Sequence, residues 1–315
     1  QNCSNEMNNS HEQRVWIKWQ VSGTNFTDSP YSDNVIVYLV PYRHGNKTYF
    51  VSGGDMTIIL DASTGKRIET SNKPPHIFIP NIGNFDNDED PELVAFTFGN
   101  YTLTAYDLMY KDNKVSFRQV ASINISLGLL SDDYFSVVDL NGDGIDEVVY
   151  LRMGWSIATA VDIANNKFLW EIRSAPETSF CGYGFGCGDP DGDRLQEILL
   201  EFFNKTRNDR AIIIMNYTGV EKAIYFSDLE PPLPSNINPG SLFVLGDVNA
   251  DGVDDIILWD VCGDIVAING SGYVFWYWDD PTSHIWARFK KVLMGDINRD
   301  TIPEIVYWSI DPQTY

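Results

Sequence analysis

Histidine and cysteine are scarce in this sequence, with four of each. His11, His44, His76 and His284 are scattered and sit in no HExxH or nucleophile-activating pattern, which leaves zinc-protease and triad chemistry without its usual base. Cys3, Cys181, Cys187 and Cys262 contain no C-x-x-C spacing, which removes the zinc ribbon and the thioredoxin motif. Basic residues are few: 22 Lys and Arg face 44 Asp and Glu, for a net charge of -22. Phosphate binding needs the opposite balance, so nucleic acid is not an expected partner. No apolar run reaches the roughly 20 residues that span a bilayer. No G-x-S-x-G or P-loop is present, and Gly182 to Gly186 opens no helix. No segment keeps a 3.6-residue period, which excludes a helical solenoid.

What is abundant is the sequon. Asn2, Asn8, Asn25, Asn46, Asn100, Asn124, Asn204, Asn216 and Asn269 each begin N-x-S/T without an intervening proline. This composition would give roughly three by chance. Nine argue for a secretory route and an extracellular or cell-surface glycoprotein. The even number of cysteines then fits two disulfides, with three pairings open. The polar stretch from Gln1 to Arg14 reads as a mature N-terminus whose leader has been removed.

The second abundance is a repeat with a period near fifty residues. Five acidic loops share the form D/N-x-D/N-x-D-x-x-x-D/E and begin at Asn84, Asp139, Asp189, Asp247 and Asp296. Each has a β-branched, strand-length apolar segment on either side. A third segment follows and ends in Asp or Asn with a turn, as at Asp61, Asp107, Asp162, Asn216 and Asn269. A fourth is aromatic, as in Lys167–Ile172 and Tyr273–Trp278. Four short antiparallel strands per unit make a propeller blade. A β-sandwich has no reason for such a period.

The expected fold is therefore all-β: a single β-propeller of six blades, with seven as the alternative. A polar arm covers 1–13 and the propeller 14–315. Blades are expected at about 34–70, 77–122, 135–175, 183–227, 241–280 and 288–315. The first supplies strands two to four without an acidic loop, and His44 to Lys47 makes its first hairpin. The last is incomplete: its third strand is short and made by Ser309 to Tyr315, or comes from further sequence or a partner chain. The orphan aromatic segment 15–22 is expected to complete that blade and close the ring, which removes sheet edges. Trp19, Trp170 and Trp276 in the fourth strands are expected to pack between blades.

The loops carry the chemistry. Calcium takes six to eight oxygens. Positions 1, 3, 5 and 9 offer side-chain oxygens and position 7 a backbone carbonyl. The candidate ligands are Asn84, Asp86, Asp88, Asp90 and Glu92; Asp139, Asn141, Asp143, Ile145 and Glu147; Asp189, Asp191, Asp193, Leu195 and Glu197; Asp247, Asn249, Asp251, Val253 and Asp255; and Asp296, Asn298, Asp300, Ile302 and Glu304. One such loop is as well explained as a turn. Five in register, each with an acid at position 9, point to cations. Without them three or four close carboxylates repel by several kcal/mol per loop. Five Ca²⁺ would take the net charge of -22 to about -12. Gly144 and Gly252 occupy position 6 of the second and fourth loops. Arg194 and Thr301 replace that glycine in the third and fifth, where the turn is less assured.

These loops and their flanking strands, over about residues 77 to 310, resemble FG-GAP repeats, found in the integrin α-subunit head and many extracellular propellers. The resemblance implies up to five structural Ca²⁺, each between the first and second strands of a blade and all on one face of the disc. The literal Phe-Gly and Gly-Ala-Pro signatures are mostly missing; Phe98-Gly99 and Phe185-Gly186 are remnants.

The function expected from this is non-enzymatic: adhesion, recognition or assembly, including filament or surface-layer assembly. The partners would be protein subunits, an extracellular ligand or glycan, or further copies of the chain. The alternatives are a carbohydrate-active enzyme such as a polysaccharide lyase, or a lectin using Trp155, Tyr183 and Trp259.

Overall fold

The computed structural model describes residues 38–44, 47–53, 57–71, 81–86, 88, 90–97, 102–125, 134–152, 157–174, 178–180, 186–234, 242–259, 264–278 and 290–309. Among them the chain forms six small sheets. The first contains β1 (Tyr38–His44), β2 (Lys47–Gly53) and β3 (Ile58–Asp61) in sequence order. The second contains β5 (Asn81–Gly83), β6 (Glu92–Thr97), β7 (Thr102–Lys111) and β8 (Lys114–Asn124), with β4 (Glu69–Thr70) added in parallel along β8. The third runs β9 (Tyr134–Val138), β10 (Glu147–Arg152), β11 (Ile157–Asp162) and β12 (Lys167–Arg173).

In the fourth, the first strand is split into β13 (Thr178–Phe180) and β14 (Gly186–Gly188). Both pair with β15 (Glu197–Asn204), which continues to β16 (Asp209–Asn216) and β17 (Gly219–Tyr225). The fifth runs β18 (Leu242–Gly246), β19 (Asp255–Trp259), β20 (Ile265–Ile268) and β21 (Val274–Trp278). The sixth pairs β22 (Lys290–Gly295) with β23 (Glu304–Ser309).

Alternation along each strand decides how the sheets stack. Val148 and Tyr150 of β10 join a buried cluster with Val94, Phe96 and Leu103 of the second sheet. Their neighbours Val149 and Leu151 point the other way, into a cluster with Ile198, Leu200 and Ile213 of the fourth. Successive side chains on a strand face opposite sides, so each central strand feeds two interfaces. The same holds farther along: Leu199 and Ile212 meet Ile256 and Leu258, while Ile257 and Trp259 meet Val292 of the sixth sheet. Tyr42, Val51 and Ile59 meet Leu93 and Ala95 between the first and second. Every core cluster is thus a seam between consecutive sheets. First strands also meet in succession, β1 with β5, β5 with β9, β14 with β18 and β18 with β22.

Three differences from the sequence expectation have local causes. The first sheet has a first strand of its own, β1, so it does not begin at strand two. Its fourth segment splits: Arg67 and Ile68 pair with β3, and Glu69–Thr70 moves to β8 beside Lys114. In the sixth, Ser309 ends the second strand and is not the start of a third. The polar arm, segment 15–22 with Trp19, and residues 310–315 lie outside the described residues.

Trp170 and Trp276 are partly buried against the seams between the third and fourth and the fifth and sixth sheets. The Trp170 indole also donates to the Asn216 carbonyl of the next sheet at 3.0 Å. Trp259 is only 5% exposed. It is a core residue, which removes it as a surface for stacking sugars. Trp155 and Tyr183 lie outside the described residues. No helix among the described residues is long and apolar enough to cross a membrane.

Candidate cation loops

All five loops connect the first and second strands of their sheets, so antiparallel topology puts them at one end of the strands. The first sheet carries the short His44 to Lys47 connection at the same place. Turns between third and fourth strands share this end, including those of sequons Asn216 and Asn269. Asn204, between second and third strands, and Asn124, at the end of β8, lie at the other end. Asn2, Asn8, Asn25, Asn46 and Asn100 lie outside the described residues.

Within a loop each oxygen collects backbone N–H groups. In the second loop the Asp139 carboxylate accepts from Gly142 (2.7 Å) and Gly144 (2.9 Å). Asn141 Oδ1 accepts from Asp143 and Asp143 Oδ1 from Ile145, both at 2.8 Å. The third loop repeats this through Asp189, Asp191 and Asp193, whose partners are Gly192, Arg194, Asp193 and Leu195. The fourth does so through Asp247, Asn249 and Asp251, ending on Val253. The fifth does so through Asp296, Asn298 and Asp300, ending on Ile302. In the first loop Asp86 and Asp88 accept from Asp88 and Asp90. Its position 1 departs from the pattern, because Asn84 Nδ2 donates to Gly144 O of the next loop at 2.7 Å.

In the second to fifth loops this wrapping uses two left-handed residues, at positions 4 and 6. Gly142 and Gly144 supply them in the second (φ 73° and 86°) and Ala250 and Gly252 in the fourth (φ 62° and 88°). Arg194 and Thr301, which replace glycine at position 6, take the same conformation at φ 74° and 78°. The hydrogen bonds override a cost of about 1–2 kcal/mol, and the turn is intact in both.

Position 9 is buried in four of the loops. Glu92, Glu147, Glu197 and Asp255 are all at most 1% exposed. What they bond to depends on positions 2 and 3. The position-2 N–H reaches the acid in the first, second, fourth and fifth loops: Phe85 to Glu92, Leu140 to Glu147, Val248 to Asp255 and Ile297 to Glu304. The position-3 asparagines Asn141, Asn249 and Asn298 add their side-chain amides. Asp86 and Asp191 stand at position 3 of the other two loops and have no amide to give. Pro190, at position 2 of the third, has no N–H. Glu92 Oε1 and Glu197 Oε2 are accordingly buried without a hydrogen-bond partner. These are the same two loops in which three carboxylates, Asp86 with Asp88 and Glu92, and Asp189 with Asp191 and Glu197, bring oxygens within 4.8 Å of one another.

Burial first, then the neighbouring acids, raises these carboxyls well above the ordinary range. Glu92 is pushed to about 7, Glu147 and Glu197 to about 8 and Asp255 to about 6. An oxygen-only set, clustered around one buried acid that is short of hydrogen-bond donors, fits a hard divalent cation of the calcium type.

Two features were not legible in the loop pattern. Position 8 of one loop clasps position 1 of the loop before it. Asp146 Oδ2 accepts from Asn84 N–H and its own N–H donates to Asn84 O, both at 2.7 Å. Asp254 treats Asp189 the same way. The glycine preceding position 1 makes room, since a Cβ on Gly83 or Gly188 would lie 2.7 or 2.5 Å from the clasping carboxylate. The other feature is Glu221 on β17, whose carboxyl lies beside Asp191 of the third loop. The signal for the clasps was an aspartate at position 8 of alternate loops. Cys187 lies 3.0 Å from Ser136 Oγ across a seam and has no disulfide partner among the described residues, to which Cys3, Cys181 and Cys262 do not belong.

No family model and no curated protein matches the chain. Among solved structures, it is similar to BBS1N in complex with ARL6DN in a lead-soaked crystal, at 10% identity and a TM-score of 0.52. That match covers 86% of this chain and 75% of the other. A mercury-soaked crystal of the same complex matches at 10% identity and a TM-score of 0.48, over 78% and 66%. At this identity the first likeness is one of fold alone, and it places the nearly all-β chain of small stacked sheets with the β-propellers.

Proposed function

We propose that the chain is a calcium-stabilised, six-bladed β-propeller glycoprotein of the secretory route, acting in adhesion, recognition or assembly without catalysis. Glu92 Oε1 and Glu197 Oε2 carry this reading. Two buried carboxylate oxygens without donors, each beside two further carboxylates, are costly unless a cation completes them. The residues that would hold it are those at positions 1, 3, 5 and 9, with the position-7 carbonyl. A bound ion would supply charge neutralisation and tie together the first hairpin of each of the five loop-bearing sheets. The loop resemblance to FG-GAP repeats supports calcium over other divalent ions.

Six sheets seamed in sequence support six blades. The aromatic segment 15–22, which lies outside the described residues, is the strand this reading assigns to completing the last blade, which has two strands among the described residues, and to closing the ring. Sequons at both ends of the strands support a glycoprotein. The neighbouring fold is recorded in complex with a protein, ARL6DN, which favours a protein partner here as well.

The test is chain produced through a secretory host and dialysed against trace calcium. Elemental analysis should find several Ca²⁺ per chain, up to five, and endoglycosidase should lower the mass. Calcium below one per chain, or no mass change, contradicts the corresponding half of the reading.

A further inference from the structure

The fourth strand of four sheets carries a β-bulge at the same place. The register skips between Ala105 and Tyr106, Ala160 and Val161, Ile214 and Met215, and Ala267 and Ile268. The extra residue on the outer strand is Val120, Leu169, Glu221 and Phe275, in that order. A bulge leaves its extra residue unpaired and re-aims it. Val120, Leu169 and Phe275 are turned into the adjoining seams as partly buried apolar side chains. Glu221 alone is charged. Its carboxyl lies beside that of Asp191, at position 3 of the third loop, and is held by Asn216 Nδ2, which donates to its Oε2 at 3.1 Å.

The third loop is also the exception among the loops. It alone has acids at all of positions 1, 3, 5 and 9, where each of the others has three. It alone lacks both donors to its position-9 acid, whose Oε2 is buried and unpartnered. Its backbone is wedged against the next sheet, since a Cβ on Gly270 would lie 1.9 Å from Pro190 O. The one repeat position that changes from apolar to acidic does so beside this loop.

We infer that Glu221 belongs to the third loop's cation site as a fifth carboxylate, reaching in from β17 and making this the tightest cation site of the chain. The inference rests on the calcium reading above. Calcium affinity rises with the charge of its ligand set. A cation shared by Asp189, Asp191, Glu197 and Glu221 also ties the first hairpin of the sheet to its outermost strand, a cross-link the other loops lack.

The test is calorimetric titration with calcium alone of the full chain, of Glu221→Gln and of Glu221→Leu, together with melting of each in chelator. Leucine restores the side-chain class of the other bulges, so it should fold. Both variants should lose about tenfold in affinity at the tightest site and keep the remaining sites unchanged. In chelator neither should melt lower than the parent, because a repulsive charge has been removed. An unchanged tightest site overturns the inference. So does a loss of affinity at every site with a lower melting temperature in chelator, which would mark Glu221 as a folding residue only. If the parent binds no calcium at all, the calcium reading itself falls and takes this inference with it.

Discussion

Asp254 and Asp189, 65 residues apart, are joined by two hydrogen bonds of 2.9 Å, one from Asp189 N–H to the Asp254 carboxylate and one from Asp254 N–H to the Asp189 carbonyl. Asp189 opens the third loop and Asp254 sits just before the position-9 acid of the fourth. The loops are therefore tied in pairs, first to second and third to fourth, across the seams between sheets.

Removing the tie should be costly. Asp254→Ala strands a part-buried backbone N–H, for about 1–3 kcal/mol of lost stability in denaturant unfolding. Gly188→Ala should cost a similar ~1–3 kcal/mol, because its Cβ would meet Asp254 Oδ2 at 2.5 Å and Leu245 at 2.8 Å. Gly144→Ala meets no atom within 4 Å and should suffer only the left-handed backbone penalty of about 1 kcal/mol.

The exposed Arg194 and Thr301 hold φ 74° and 78°, which glycine adopts freely. Arg194→Gly and Thr301→Gly should each leave the loop bonds in place and raise stability by about 0.5–1 kcal/mol. A drop in melting temperature on either change would mean that the side chain supplies something the backbone does not.

The raised position-9 carboxyls set a pH dependence for metal-free protein. Their folded pKa values, from about 6 for Asp255 to about 8 for Glu147 and Glu197, lie above the unfolded ones. Between pH 4.5 and 8 the folded state therefore binds more protons than the unfolded state, and stability falls as pH rises. In chelator the melting temperature should be higher at pH 5.5 than at pH 8. Calcium competes for the ionised form, so saturating calcium should reduce or invert that slope.

Asp143 and Asp251 each accept a backbone N–H from position 7 of their loops. Asp143→Ala and Asp251→Ala should each remove one calcium from the bound stoichiometry. Each should also lower stability in chelator by ~1 kcal/mol through the lost turn bond. An unchanged calcium count in both variants argues against these loops as the binding sites.

The loops were legible because their message is local. Alternating Asp or Asn at positions 1, 3 and 5 and an acid at 9 appear within nine residues, between apolar flanks, five times over. The sheets followed from the same repeat. What escaped depends on neighbours in space. Position 8 looks like any polar turn residue until the next sheet brings Asn84 to Asp146 and Asp189 to Asp254. Glu221 sits in an ordinary strand, and only the bulge aims it. Arg194 and Thr301 made the third and fifth turns look doubtful, yet the carboxylate at position 1 collects enough N–H groups to hold the left-handed backbone. Residue type alone made Trp259 a candidate surface for stacking sugars. The strand extends through it and buries it.

The central claim is that calcium completes these loops, and thermal unfolding tests it most directly. The melting temperature should be recorded at pH 7.5 in excess chelator and again with calcium in millimolar excess. Ions bound only by the folded chain stabilise it by mass action, about 2.7 kcal/mol per site at a hundredfold excess over Kd. Several such sites should raise the transition by well over ten degrees, and magnesium at the same concentration should do much less. Coincident transitions in chelator and in calcium would contradict the account.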